Sequence, residues 1–228
     1  MPSKQEKFAE FETFPNCFGF FFDNISQGET FALKGHWRAD HFKNDHPIVL
    51  ELGCGKGEYT VGLAEHNPGK NFIGVDIKGN RIWTGAKQAL DKKLPNAAFL
   101  RTRIDFIDHG FTEHEVDEIW ITFPDPQPQS TRKRSRLTHP IFLNRYKKIL
   151  KPNGFVHLKT DSTSLYEYTL EVIAEHNLEI IWHTNDLYKN CPPDRRELVN
   201  IKTYYEKLFT DKGEDIKYIQ FRLDKLKG

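Results

Sequence analysis

Three glycines on alternate positions, Gly53, Gly55 and Gly57, follow an apolar run and stand just after an acid, Glu51. Glycine has no Cβ, so it lets backbone approach a ligand closely and take up positive φ. Apolar strand, glycine turn and helix together form the ligand-binding corner of open α/β sheets. Spacing narrows the ligand. A P-loop needs Gly-Lys followed by Ser or Thr, but Gly57 follows Lys56. A dinucleotide fingerprint reads G-x-G-x-x-G, and this chain reads G-x-G-x-G. A carboxylate at Glu51 suits a ligand carrying positive charge. The plain alternative is a structural strand-to-helix turn.

More acids stand where strands should end. Asp76 closes the run NFIGVD, about twenty residues past the turn, where a carboxylate accepts hydrogen bonds from ribose hydroxyls. Asp105 follows a short third strand and either holds an adenine amino group, with Ile104 or Phe106 against the ring, or is an N-cap. Residues 116–123 (VDEIWITF) run into Pro124-Asp125-Pro126-Gln127-Pro128, so Asp125 points beyond a strand carboxyl end from a loop stiffened by proline. Asp161 ends the fifth strand and faces the same cleft. Residues 129–136 (QSTRKRSR) carry Arg132, Lys133, Arg134 and Arg136. Such a run is a solvated face or, at this edge of the sheet, a phosphate-contacting patch.

The elements that position these residues read as an α/β domain. Strands are expected at 48–52, 71–76, 98–100, 116–123, 155–158, 179–182 and 215–222. Helices are expected from Glu58 and over 80–93, 141–150 and 165–175. Residues 1–46 read as an irregular, Phe-rich arm packed onto the domain at 47–228, with base stacking by its aromatics as the alternative. Residues 185–213 form a long polar insertion, and segments of that length inside a domain tend to be functional.

The 228 residues suit one domain, or one domain with an extension. There is no transmembrane run and no secretory signal pattern. Three cysteines at unrelated spacings read as reduced thiols in a cytoplasmic protein. His36, His41 and His46 lie five apart, which fits no zinc motif, so no metal site is read. With 33 basic and 32 acidic residues, bulk charge announces no nucleic acid, and any such contact must be local.

ELGCGKG with its leading Glu51 resembles class I S-adenosylmethionine-dependent methyltransferases, whose ligand carries a sulfonium and an amino-acid head. Adding F-P-D-P with its basic run, L-K-T-D at 158–161 and T-x-x-E at 203–206, the chain over roughly 47–222 resembles the bacterial tRNA (guanine-N7-)-methyltransferases. That resemblance implies a Rossmann-like fold with a seven-stranded, mostly parallel sheet, helices on both faces and an antiparallel last strand. It implies S-adenosyl-L-methionine as methyl donor, held by Glu51, Gly53, Gly55, Gly57, Asp76 and Asp105. It implies Asp125 as the catalytic residue and a guanine site with Gln129, Asp161, Thr203 and Glu206. It implies tRNA as the partner, methylated at the variable-loop guanine 46, with Arg132, Lys133, Arg134 and Arg136 touching it. Two departures stand out: Gln127 replaces the family's tryptophan and Gln129 its lysine. The rival reading is a class I methyltransferase acting on another RNA, a protein or a small molecule. The sequence leaves monomer and homodimer open.

Overall fold

The computed structural model describes residues 2–227; Met1 and Gly228, the outer ends of the two expected segments, lie outside the described residues. Among the described residues eight strands form one sheet: β1 Cys17–Gly19, β2 Ile48–Leu52, β3 Asn71–Asp76, β4 Ala97–Arg101, β5 Val116–Thr122, β6 Leu150–Thr160, β7 Ile180–Thr184 and β8 Lys217–Phe221. Their order is β1-β4-β3-β2-β5-β6-β8-β7. β2 pairs in parallel with both β3 and β5, so the chain reverses its winding beside the strand that carries the glycine turn. β8 runs antiparallel between β6 and β7, as the resemblance implies for the last strand.

β2 shows why a near-continuous apolar run becomes a central strand. All five of its residues are buried. Successive side chains point to opposite faces. Ile48, Leu50 and Leu52 join one core with Ile73 and Ile121, while Val49 joins the other with Phe72, Phe99 and Trp120. Each such side chain, fully buried, stabilises the fold by about 1.5–3 kcal/mol. Glu51 shares Val49's face, toward the helix Glu58–His66.

The N-terminal segment departs from expectation. Residues 1–46 read as irregular, yet they contain the helix Lys4–Phe11, β1, the helix Phe22–Ser26 and a π-helical turn Trp37–Phe42. β1 pairs in parallel with β4, so the arm supplies an eighth strand that covers the sheet edge. Trp37 is buried, donates Nε1–H to the Gly110 carbonyl at 3.1 Å and stacks on Phe111. The aromatics of this segment are therefore largely core, although Phe22 stays exposed.

The insertion is also structured. Within 185–213 lie the helices Leu187–Asn190, Glu197–Asn200 and Tyr204–Thr210, and Leu187, Leu198 and Ile201 are buried in the core shared with Val49. Among the described residues no helix is long and apolar enough to cross a membrane.

Candidate active site

The glycine turn sits at the carboxyl end of β2. Gly53, Gly55 and Gly57 all have positive φ, at 75°, 56° and 72°. Their roles differ. A Cβ at Gly55 would meet nothing within 4 Å, and one at Gly53 would meet only Leu137 at 3.9 Å, so these two present open backbone. A Cβ at Gly57 would fall 2.6 Å from the Phe99 ring. Gly57 thus serves close packing of turn on sheet and lines no cavity at the site.

Asp76 braces the turn from the end of β3. Its Oδ2 accepts from the Gly55 amide at 3.0 Å and its Oδ1 from the Lys78 amide at 2.9 Å. Glu51 is more enclosed, only 3% exposed. Its Oε2 accepts from the Thr60 amide at 2.8 Å and from the Thr60 hydroxyl, and its Oε1 accepts from the Thr122 hydroxyl. Burial pushes its carboxyl up to about 7, against the opposing pull of those donors. Oε1 keeps a lone pair for one further donor.

Two cavities meet over this turn, sharing Gly53, Asp76, Ser135 and Leu137 as common wall. The smaller, about 400 Å³, runs past Ile77, Thr102, Ile104, Asp105 and Phe142. Asp105 lies in the 3-10 turn Ile104–Phe106, caps no helix, and pairs through Oδ2 with Arg103 at 3.0 Å. The larger, about 650 Å³, is walled by Glu51, Gly55, Asp125, Asp161, Thr203 and the exposed Tyr204 and Tyr205.

One side of that cavity is a loop under tension. Phe123 and Gln127 both have positive φ, at 46° and 45°, on either side of Asp125. Such conformations cost about 1–3 kcal/mol each and persist only where surrounding contacts enforce them. The Phe123 amide donates to the Lys159 carbonyl at 2.8 Å, and its ring stacks on Phe209. The Gln127 amide donates to Asp125 Oδ1 at 3.1 Å, while its carbonyl takes both Nε–H and Nη2–H of Arg136. Gln127 works here through its backbone. Asp161 lies across the cavity at the end of β6, and partial burial raises its carboxyl above the ordinary aspartate value.

The structure therefore brings Glu51, Gly53, Gly55, Asp76, Asp125, Asp161 and Thr203 to one cleft, with Asp105 at its far end. It does not bring Gly57, Gln129, Glu206 or Arg136 there. Gln129 is exposed outside both cavities. Glu206 is wholly buried against Lys159. Arg136 is 6% exposed, with its guanidinium 4.4 Å from the Tyr168 ring centroid, so it leaves the exposed basic run. Arg132, Lys133 and Arg134 remain exposed on the 3-10 segment Ser130–Ser135, and Arg134 also lines the smaller cavity. Sequence reasoning missed Thr60 and Thr122: the pairing of β5 with β2 brings Thr122 beside Glu51, and the packing of the helix Glu58–His66 on β2 brings Thr60. It also passed over Tyr204 and Tyr205, although both stand inside the T-x-x-E motif.

An acid-braced glycine turn at the winding reversal of a mostly parallel sheet with one antiparallel strand defines a class I methyltransferase fold, and solved structures agree. The 16S rRNA methyltransferase KamB superposes with a TM-score of 0.61 at 15% identity, covering 85% of this chain and 94% of that one. An antibiotic-related methyltransferase gives 0.60 over 85% and 95%. A family described as "Putative methyltransferase" matches residues 45–219. The tRNA (guanine-N(7)-)-methyltransferase of Christiangramia forsetii is 49% identical over 221 residues, covering 97% of this chain and 98% of its own. That of Porphyromonas gingivalis is 52% identical over 214 residues, covering 93% and 86%. The chain belongs to the tRNA (guanine-N7-)-methyltransferase family.

Proposed function

We propose that the paired cavities hold S-adenosylmethionine and a guanine of tRNA side by side, and that the chain methylates N7 of that guanine, at position 46 in the family, in the cytoplasm. The observation that carries this reading is the meeting of Asp125 and Asp161 in the cavity that Glu51, Gly53 and Gly55 also wall. The residues fit the donor: two glycines give open backbone, and a buried carboxylate with one free acceptor position suits a positively charged ligand. In this reading Asp76 takes the ribose and Asp105 the adenine end, both lining the smaller cavity. Bound there, S-adenosylmethionine supplies a methyl group on an electrophilic sulfonium.

The chain's own part is positioning and charge. Guanine N7 carries a lone pair at neutral pH, so no proton must leave before attack and no strong general base is required. Asp125 and Asp161 accept hydrogen bonds from N1–H and the exocyclic amine, which reads the Watson–Crick edge and stabilises the cationic product ring. Arg132, Lys133 and Arg134 face tRNA phosphates from the adjoining loop.

The test incubates the purified protein with S-adenosylmethionine and tRNA lacking 7-methylguanosine, followed by nucleoside mass spectrometry. Formation of 7-methylguanosine, lost by roughly 100-fold or more in Asp125→Ala with donor affinity retained, supports the assignment. Donor binding without 7-methylguanosine would move the substrate to another acceptor.

A further inference from the structure

Lys159 is a buried cation that the proposed chemistry does not use. Its side chain is 0% exposed, its Nζ donates to the Leu198 carbonyl at 2.5 Å, and it pairs with Glu206 Oε1 at 2.7 Å. Glu206, equally buried, takes a second bond from the Tyr188 hydroxyl at 2.8 Å. The Glu206 amide is capped by Thr203 Oγ1 at 3.1 Å, which starts the helix Tyr204–Thr210. The main chain of Lys159 faces the other way, its carbonyl accepting from the Phe123 amide at the head of the Asp125 loop. Two residues on along the chain stands Asp161.

One residue thus links three of the segments that wall the larger cavity: the Asp125 loop through its backbone, the Asp161 strand end through the chain, and the Thr203–Tyr205 wall through Glu206. Desolvating two charges is costly, and apolar packing of equal volume serves stability as well or better, so a buried ion pair is weak evidence for stability. What charge adds is a directed link between two backbone segments. Displacing a reacting group by about 1 Å costs on the order of 100-fold in rate.

We propose that Lys159 is a positioning residue for the acceptor site, using Glu206 as its partner to hold the Thr203–Tyr205 wall in register with Asp125 and Asp161. Glu206 then acts through Lys159 and does not contact the base. This rests on the reading of the larger cavity as the guanine site.

The test compares Lys159→Met, Glu206→Gln and the double variant with wild type. It reads thermal stability, donor affinity by calorimetry, kcat and KM for tRNA, and amide hydrogen exchange over residues 203–210. Lys159→Met should lose roughly 100-fold in kcat/KM for tRNA, shift donor affinity by less than about threefold, and speed exchange in 203–210. The double variant, which leaves no unpaired buried charge, should regain both stability and at least about tenfold of the lost kcat/KM. A double variant that regains stability but no activity would show Glu206 acting directly on the base and overturn the proposal. So would a Lys159→Met protein whose donor affinity falls in parallel with kcat/KM, or whose exchange over 203–210 is unchanged. If wild type makes no 7-methylguanosine while exchange still rises in Lys159→Met, the guanine reading fails and the link between the walls stands.

Discussion

The guanidinium of Arg136 donates from Nε and Nη2 to the carbonyl oxygen of Gln127, at 3.2 and 3.1 Å. Gln127 stands in the left-handed region two residues after Asp125, and its amide holds the Asp125 carboxylate. Arg136 therefore fixes the backbone that aims Asp125, and it does so from a site stacked on Tyr168. Arg136→Ala should destabilise the protein by about 2–3 kcal/mol, the scale of lost hydrogen bonds from a charged donor. Urea unfolding reads that loss, and kcat should fall with it. Arg136→Lys should not restore kcat, because an ammonium offers neither the fork nor the planar stack.

Arg132, Lys133 and Arg134 should behave differently. They are exposed on a segment beside the cleft. Neutralising all three should weaken tRNA binding and lower the slope of log affinity against log salt by roughly 0.7–0.9 for each phosphate left without its cation. Arg136→Ala should leave that slope unchanged. Equal slope changes from the triple and the single variant would return Arg136 to the RNA face.

That contrast shows where the sequence stopped informing. The strand–glycine–helix corner was legible because a buried strand, a glycine turn and an acid must be contiguous. The acids at strand ends were legible because parallel topology sends every carboxyl end to one edge. Which cation of a basic run turns inward was not, since it depends on Tyr168 and the Gln127 carbonyl, whose approach to Arg136 is set by tertiary packing. β1 was hidden for a related reason. Three residues, Cys17–Gly19, carry no periodicity, and only the free edge of β4 makes them a strand. Glu206 was visible as a motif residue, but its burial against Lys159 arises from how the insertion folds back on β6.

The glycines separate packing from binding. Gly57→Ala puts a Cβ 2.6 Å from the Phe99 ring at a positive φ, so overpacking and backbone strain add to about 2–4 kcal/mol of destabilisation. Gly55→Ala meets open space and should cost about 1 kcal/mol, from its φ alone. Donor affinity should fall at Gly55→Ala out of proportion to stability. Denaturant unfolding beside calorimetric titration of each variant checks the split, and matched losses at Gly55 would make it a structural turn only.

Glu51 should make donor binding depend on pH near neutrality. Burial holds its carboxyl up at about 7 from an ordinary 4.5, with the Thr122 and Thr60 hydrogen bonds pulling the other way. A cationic ligand favours the carboxylate, so affinity should rise with pH between 6 and 8, by at most roughly tenfold per unit below the pKa. At pH 7 each binding event should release up to about half a proton, read as a buffer-dependent heat in calorimetry. Stability of the free protein should move oppositely. The folded chain holds a proton that the unfolded chain sheds above 4.5, so this group's contribution is full below that value and lost as pH rises through 7. Glu51→Gln should remove both trends, visible as the difference between the two proteins' pH profiles. Wild type that releases no proton at pH 7 would place the carboxyl's titration elsewhere and remove Glu51 from contact with the sulfonium end of the ligand.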